Sequence, residues 1–306
     1  MLLFSYYMKT LTNPRQIKSI SSLTTSEFDT LARAFDVAWQ MAEKKRPTLR
    51  TRARRQRALG AGRNAVLRTS RDKLLFILFW FKAYPTLDVM AFFFGMSQTQ
   101  ACQWAHRLTP ILEATLKRKL CLPARKAHNL EKTLFEFPSL TVIVDGTERP
   151  CRRPTNGMKR KACYSGRKKR YAIKNILCVH ERKVVVLSKT RPGRWHDKKC
   201  IDAENWRFPR NSTILGDRGF AGYEQPHASV RTPERRPNHG RTPKQNRPFN
   251  RRLARKRIAV EHAIAGVKRS HIIADILRTQ KPGFPDKAML IACALHNFRV
   301  DSRIAA

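Results

Sequence analysis

Apolar residues recur at helical spacing through the first third of the chain and give way to short β-branched runs in the second. From Ser22 to Met41, the apolar positions Leu23, Phe28, Leu31, Phe35, Val37, Ala38 and Trp39 follow Thr24, Thr25 and Ser26 as caps, which predicts an amphipathic helix. Helical spacing returns from Arg71 to Tyr84, where Pro85 and Thr86 stop one helix and open the next. Thr86 to Phe94 predicts a short capped helix, Gly95 and Met96 a turn, and Ser97 a second helix with Gln100 completing a capping box. Two helices around a Gly-containing turn predict a helix-turn-helix with Met90, Ala91, Phe94, Met96, Ala101 and Trp104 as its core. That packing leaves Gln98, Gln100, Gln103, His106 and Arg107 partly outward. Gln and Arg read base edges in a major groove, but the same geometry also serves as a plain helical hairpin.

The period changes after Leu140. Thr141–Val144, Ala172–Val179, Val184–Ser188 and Ser212–Leu215 read as strands, with His180–Lys183 as a hairpin turn and Asp197–Asn205 as a short helix. Val142, Ile143 and Val144 do not alternate with polar residues, so this strand is expected inside a sheet covered on both faces. It runs into Asp145 and Gly146, which reads either as an Asp-Gly turn or as a strand that ends by presenting a carboxylate. Ala221–Phe249 holds five prolines and many arginines and predicts a long irregular loop. Arg251–Ile276 follows as the longest helix, and Asp286–Arg299 as a closing one.

Charge alters the picture. There are 63 Lys and Arg against 22 Asp and Glu, a formal charge of +41. A field of that size repels itself unless a polyanion neutralises it, and with 42% hydrophobic residues the chain is a folded protein, not a basic tail. Double-stranded DNA is the expected partner. The stretch Lys44–Arg63 is a basic linker that either lies on phosphates or is simply solvated. Seven cysteines without a CxxC pair read as reduced thiols of a cytosol-like compartment. Met1–Thr10 lacks the features of a signal peptide, and Met8 is an alternative start. The apolar run Leu74–Phe81 is too short to span a bilayer, so no membrane partner is expected.

Within this basic chain, Asp145 ends one strand, Asp217 follows another, and Glu261 lies on a late helix. Three hard oxygen donors with no His or Cys cluster suit Mg²⁺ or Mn²⁺, and a pair of such ions suits phosphoryl chemistry on DNA. Arg257, Glu261 and Lys268 share one helix face, either to hold a phosphate or as an Arg–Glu intrahelical pair.

The segments VDGTERP with the following CRRP, YSGRKKRYAIK (Tyr164–Lys174), RWHD (Arg194–Asp197), LGDRGFAGY (Leu215–Tyr223) and FNRRLARKRIAVEHAIAGVKR (Phe249–Arg269) resemble, in order, the DDE transposases of bacterial insertion sequences. The nearest group is the insertion sequence five family and its Harbinger-type eukaryotic relatives. The resemblance implies a ribonuclease-H-like (retroviral integrase-like) α/β core preceded by an all-helical helix-turn-helix region. It makes Asp145, Asp217 and Glu261 the catalytic, metal-binding triad, with Arg257 and Lys268 as basic positions around the glutamate. Ala254 departs from the larger residue relatives carry there, and His196 with Asp197 matches a His-Asp pair without a settled role.

The expected organisation is an N-terminal helical and basic region over 1–68, a helix-turn-helix domain over 69–115 and a basic connector over 116–135. A catalytic domain over 136–280 and a C-terminal helix over 281–306 complete it. The implied activity is a transposase that binds terminal inverted repeats, cuts DNA and joins the 3′ hydroxyl to target DNA, as a homo-oligomer on paired ends. A domesticated or inactive relative that only binds DNA, or acts as a nuclease, is the alternative. The implied location is the nucleoid if the source is bacterial and the nucleus if it is eukaryotic.

Overall fold

The structure is a computed structural model, and it describes residues 13–45, 66–125, 140–234, 247–279 and 281–304. The expectations for the N-terminal ten residues, for most of the basic linker, for the second half of the connector and for 235–246 of the proline-rich loop lie outside the described residues. The described residues form two compact units that divide between Cys121 and Leu122, with Ser270–Ile272 and 301–304 belonging to the first.

The first unit is helical: α1 (Pro14–Ser21), α2 (Thr25–Lys45), α3 (Ser70–Ala83), α4 (Leu87–Phe94) and α5 (Gln98–Arg118). Its core forms where the apolar faces meet, with Leu31, Phe35, Leu74, Phe76, Leu108 and Leu112 fully buried. The α4–α5 pair follows the expected chemistry. Thr86 caps α4, and Gly95 ends it in the left-handed region, with the Met96 N–H donating to Ala91 O at 3.0 Å. Ser97 and Gln100 then cap each other across the start of α5, at 3.2 and 3.0 Å. Met90, Ala91, Phe94 and Ala101 are buried as expected, whereas Met96 and Trp104 are only partly covered.

The second unit is a mixed α/β layer built on β1 (Thr141–Pro150), with α6 (Gly157–Cys163), β2 (Tyr164–Ser165), β3 (Arg170–His180), β4 (Lys183–Leu187) and β5 (Arg191–Pro192). It continues with α7 (Asp197–Asp202), β6 (Ser212–Leu215), β7 (Ala228–Arg231), α8 (Arg247–Lys268) and, each belonging to it only in part, α9 (His271–Ala274) and α10 (Phe284–Ile304). β4, β3 and β1 pair antiparallel, and β1, β6 and β7 pair parallel. The β3–β4 connection is a two-residue turn in which Glu181 and Arg182 both take positive φ (44° and 71°), matching the strand twist.

Val142 and Val144 are fully buried and Ile143 nearly so, as the unbroken apolar run predicts for a strand covered on both faces. Below it lie Val186, Trp206, Ile214 and Phe220. Across β1 and β3 lies α8, whose stripe Leu253, Val260, Ala263 and Val267 is buried. α10 seals the edge of β4 with a side chain that imitates a strand: Asn297 accepts from Val184 N and donates to Val184 O, both at 2.8 Å.

Two sequence expectations are corrected. The segment from Ala221 is not loop throughout, because Ala228–Arg231 pairs with β6 and the long helix already begins at Arg247. That helix also stops at Lys268, and His271–Ala274 forms a separate turn. Proline spacing signals where a helix cannot run, but parallel pairing with a distant strand leaves no local mark.

Candidate active site

The parallel register of β1 and β6 sets Ile143 opposite Leu215. Two residues further along each strand stand Asp145 and Asp217, so the sheet itself brings together two acids 72 positions apart. β6 ends at Leu215 and frees Asp217 to accept the Gly219 N–H at 2.8 Å, capping the single turn Arg218–Phe220. Asp145 is placed differently from either sequence reading. β1 neither ends nor turns there, and runs on through Gly146 to Pro150 in register with β3. The carboxylate is presented from mid-strand, at the level where its parallel neighbour has stopped.

Gly146 therefore does not let the chain turn away. Its missing side chain makes room: a methyl group there would collide with Asp197 Oδ1 and stand 2.9 Å from Asp197 Cγ. Gly219 faces the same carboxylate from the other side, where a methyl group would lie 2.8 Å from Asp197 Oδ2 and 2.9 Å from Asp217 Oδ1. Asp197, the first residue of α7, is thus wedged between the two acid-bearing segments. Lys174 on β3 holds it at 2.9 Å, reaches Glu148 Oε1 at 3.5 Å and donates to Trp195 O at 3.0 Å. Burial pulls the Lys174 ammonium down, but Asp197 and Glu148 outweigh it and its pKa ends above the ordinary lysine value.

Sequence reasoning noted Asp197 without giving it a role, and passed over Lys174 and Glu148. The register Glu148↔Lys174 that pairs them exists only once β1 and β3 are aligned.

The charge balance is read best at Asp145. Burial raises its pKa, Arg257 at 4.0 Å lowers it, and Asp217 and Asp197 push it up again, to about 6 from 3.8. A raised carboxyl keeps its proton longer in the native chain than in the unfolded one. Metal-free protein therefore loses stability as pH rises from about 4 through about 6, by about 3 kcal/mol at about 1.4 kcal/mol per pKa unit. The expected result is that Asp145→Asn is more stable than the parent at pH 7.5 in chelator and no more stable near pH 4. Urea unfolding at the two pH values checks it, and equal differences at both would remove Asp145 as the titrating group.

On α8, Arg257 turns toward Asp145, and among the described residues no ion pair joins it to Glu261. The intrahelical pair that the spacing allowed is not formed. Glu261 stands exposed, a further 40° or so around the helix from Arg257. Burial lowers the Lys268 pKa, and so do Lys168 and Arg170, while Asp145 and Glu148 raise it. The structure thus gathers Asp145, Asp217 and Asp197 with Arg257 and Lys268 at their edge, and leaves Glu261 outward on the same helix.

Residues 144–297 match the family described as "DDE superfamily endonuclease", and residues 66–118 match "Helix-turn-helix of DDE superfamily endonuclease". The chain belongs to the DDE superfamily endonucleases. It is also 26% identical over 233 residues to a protein of Microchaete diplosiphon named "Probable transposase for insertion sequence element IS702", covering 75% of this chain and 80% of that one. No solved structure matches. Neither the matched families nor this relative carries the name of the insertion sequence five group or of its Harbinger-type relatives.

In this DDE endonuclease the matched helix-turn-helix presents the expected base-reading residues unequally. Gln98 and Gln103 are exposed, while Gln100 spends its side-chain oxygen on the Ser97 cap. Arg107 pairs with Glu43 and stacks over Trp39 and Trp104, 4.5 and 4.9 Å from their ring centres. Aromatic stacking and a carboxylate hold this guanidinium as part of the helical packing.

Divalent metal fits the acids by donor type, since the converging side chains offer only carboxylate oxygens, and Asp217 and Asp197 both act on the buried Asp145 carboxyl. Among the described residues, no three His, Cys, Asp or Glu side chains stand close enough together to hold an ion. All seven cysteines are free thiols, and among the described residues no helix is long and apolar enough to cross a membrane.

Proposed function

We propose that this chain is a DNA transposase that cuts the phosphodiester backbone at the ends of its own element and transfers the 3′ hydroxyl to target DNA. The observation that carries the reading is the parallel β1–β6 register, which sets Asp145 and Asp217 side by side within a chain of formal charge +41. Three antiparallel and two further parallel strands, with one acid on β1, a second just past the end of its parallel neighbour and a third on a helix laid across them, support a ribonuclease-H-like core.

Asp145 and Asp217 would hold Mg²⁺ or Mn²⁺, with Glu261 as the third carboxylate, in a pair of ions. When bound, such ions supply Lewis acidity that activates a water or hydroxyl and offsets charge on the leaving oxygen. The remaining work falls to the chain. Arg257 and Lys268 orient the scissile phosphate, and Arg257 also keeps Asp145 partly ionised before an ion arrives. The helix-turn-helix within 69–115 selects the inverted repeats through Gln98, Gln103 and neighbouring positions, Gln100 and Arg107 serving its architecture. The catalytic domain over 136–280 does the chemistry, with the C-terminal region over 281–306 as its support, and the protein works as a homo-oligomer on paired ends. Its place is with the DNA, on the nucleoid in a bacterium or in the nucleus of a eukaryote.

Supercoiled plasmid bearing the repeats that flank the gene is the test. The expected result is nicking and end cleavage in Mg²⁺ or Mn²⁺, abolished by EDTA and restored by excess metal. Binding of the repeats without any cutting in either metal would leave a DNA-binding relative that has lost catalysis.

A further inference from the structure

β3 runs on past Pro150, the last residue of β1, and there pairs with β2 to form a hairpin, Tyr164↔Tyr171 and Ser165↔Arg170. Its turn carries Arg167, Lys168, Lys169 and then Arg170, four consecutive exposed cations. The turn is a defined one. Ser165 Oγ accepts the Lys168 N–H at 3.3 Å, Lys169 sits at φ 49°, and the Tyr164 and Tyr171 rings meet edge to face at 5.6 Å.

From Arg152 to Arg170 there are nine Lys and Arg and no Asp or Glu. Among the described residues none of the four cations at 167–170 pairs with a carboxylate. Lys268, at the end of α8, is repelled by Lys168 and Arg170 and attracted by Asp145 and Glu148, so the basic turn and the acids act on one side chain. Cations gathered without counter-charge destabilise a fold unless a polyanion lies across them, and the acids mark where that polyanion would be cut. The strand gives the reach. Leu177 lies opposite Asp145, and Arg170 is seven residues further along β3. At about 3.4 Å per residue this is about 24 Å, the rise of about seven base pairs.

Resting on the transposase reading above, we propose that the Arg167–Arg170 turn forms a phosphate clamp on duplex DNA, about seven base pairs from the phosphate held at Asp145 and Asp217. The clamp reads no sequence. It fixes the angle at which the duplex enters the acids, and helps to set which phosphate is cut.

The test uses the full chain with a duplex of about thirty base pairs, by anisotropy across a salt series. The triple variant R167Q/K168Q/R170Q is expected to lower the slope of log affinity against log salt by about three, and to weaken binding about 10- to 100-fold at moderate salt. R167K/R170K, which keeps the charge, should retain the parent slope, as should R15Q/K18Q/R33Q on α1 and α2, where all three cations are exposed. Hydroxyl-radical footprints should lose protection about seven base pairs from the cut while keeping it at the cut. A triple variant with the parent slope and footprint overturns the clamp, even in a protein that cleaves DNA. Slope loss in the triple variant, with a parent that never cleaves in Mg²⁺ or Mn²⁺, keeps the clamp and removes the transposase chemistry. Tighter binding to an RNA hairpin than to the duplex would overturn the choice of DNA.

Discussion

Asp145→Asn and Asp217→Asn each lower metal-dependent strand cleavage by about a thousandfold or more, while repeat binding stays within a few-fold of the parent. Asp145 lies on β1 and Asp217 two residues past the end of its parallel neighbour β6, so each amide replaces a carboxylate without disturbing the sheet register. An amide oxygen is a weaker ligand for a hard divalent ion, and removing one charge weakens metal binding and misplaces what remains. Acids that act as one unit give non-additive losses, so the double variant should fall little below either single one. Asp217→Asn keeps an acceptor for the Gly219 N–H, which separates lost chemistry from a lost turn cap. Single-turnover cleavage of supercoiled plasmid at saturating protein measures this. Cleavage by either variant within tenfold of the parent would remove that acid from the metal site. Glu261→Gln, on the exposed face of α8, asks the same question of the third carboxylate.

Lys174→Met has the second large effect, and it acts on stability. Lys174 is nearly buried, and it is the cation that holds Asp197 at 2.9 Å between Gly146 and Gly219. Removing one partner of a buried pair leaves the other charge unpaired, which costs about 3 to 5 kcal/mol. Here the orphaned Asp197 would also stand among Asp145 and Asp217, adding repulsion to desolvation. The expected result is a loss of that size at pH 7.5. Lys174→Met/Asp197→Asn should regain most of the stability, because the pair is then removed as a whole. Denaturant unfolding of the four proteins of this cycle gives the coupling directly. Additive losses would show that Lys174 stabilises the unit through packing alone.

Much of the fold was legible because its signals are local. The Ser97–Gln100 box, Gly95 at the end of α4 and the apolar run at Val142–Val144 each depend on neighbours a few positions away. The readings that changed depended on partners far along the chain. Asp-Gly after a strand is as good a turn as it is a continuing strand, and only pairing with β3 decided that β1 runs on. Arg107 at an outward position reads as a base-contacting side chain until Trp39, Trp104 and Glu43 are placed around it. β7 carries too weak an alternation to stand out from a proline-rich stretch, and its strand exists because β6 offers it an edge.

The sequence by itself determined the charge that calls for a polyanion, the helical half and the sheet half, and the motifs that place Asp145, Asp217 and Glu261 as candidates. Those features follow from composition, periodicity and order, which survive without a third dimension. The tertiary structure alone decided that Asp145 and Asp217 are neighbours, that Asp197 is locked between them by Lys174, and that Arg257 serves Asp145 instead of Glu261. Each of these is a meeting of segments from different parts of the chain. It is set by strand register and by the space a glycine leaves, neither of which any one segment carries within itself.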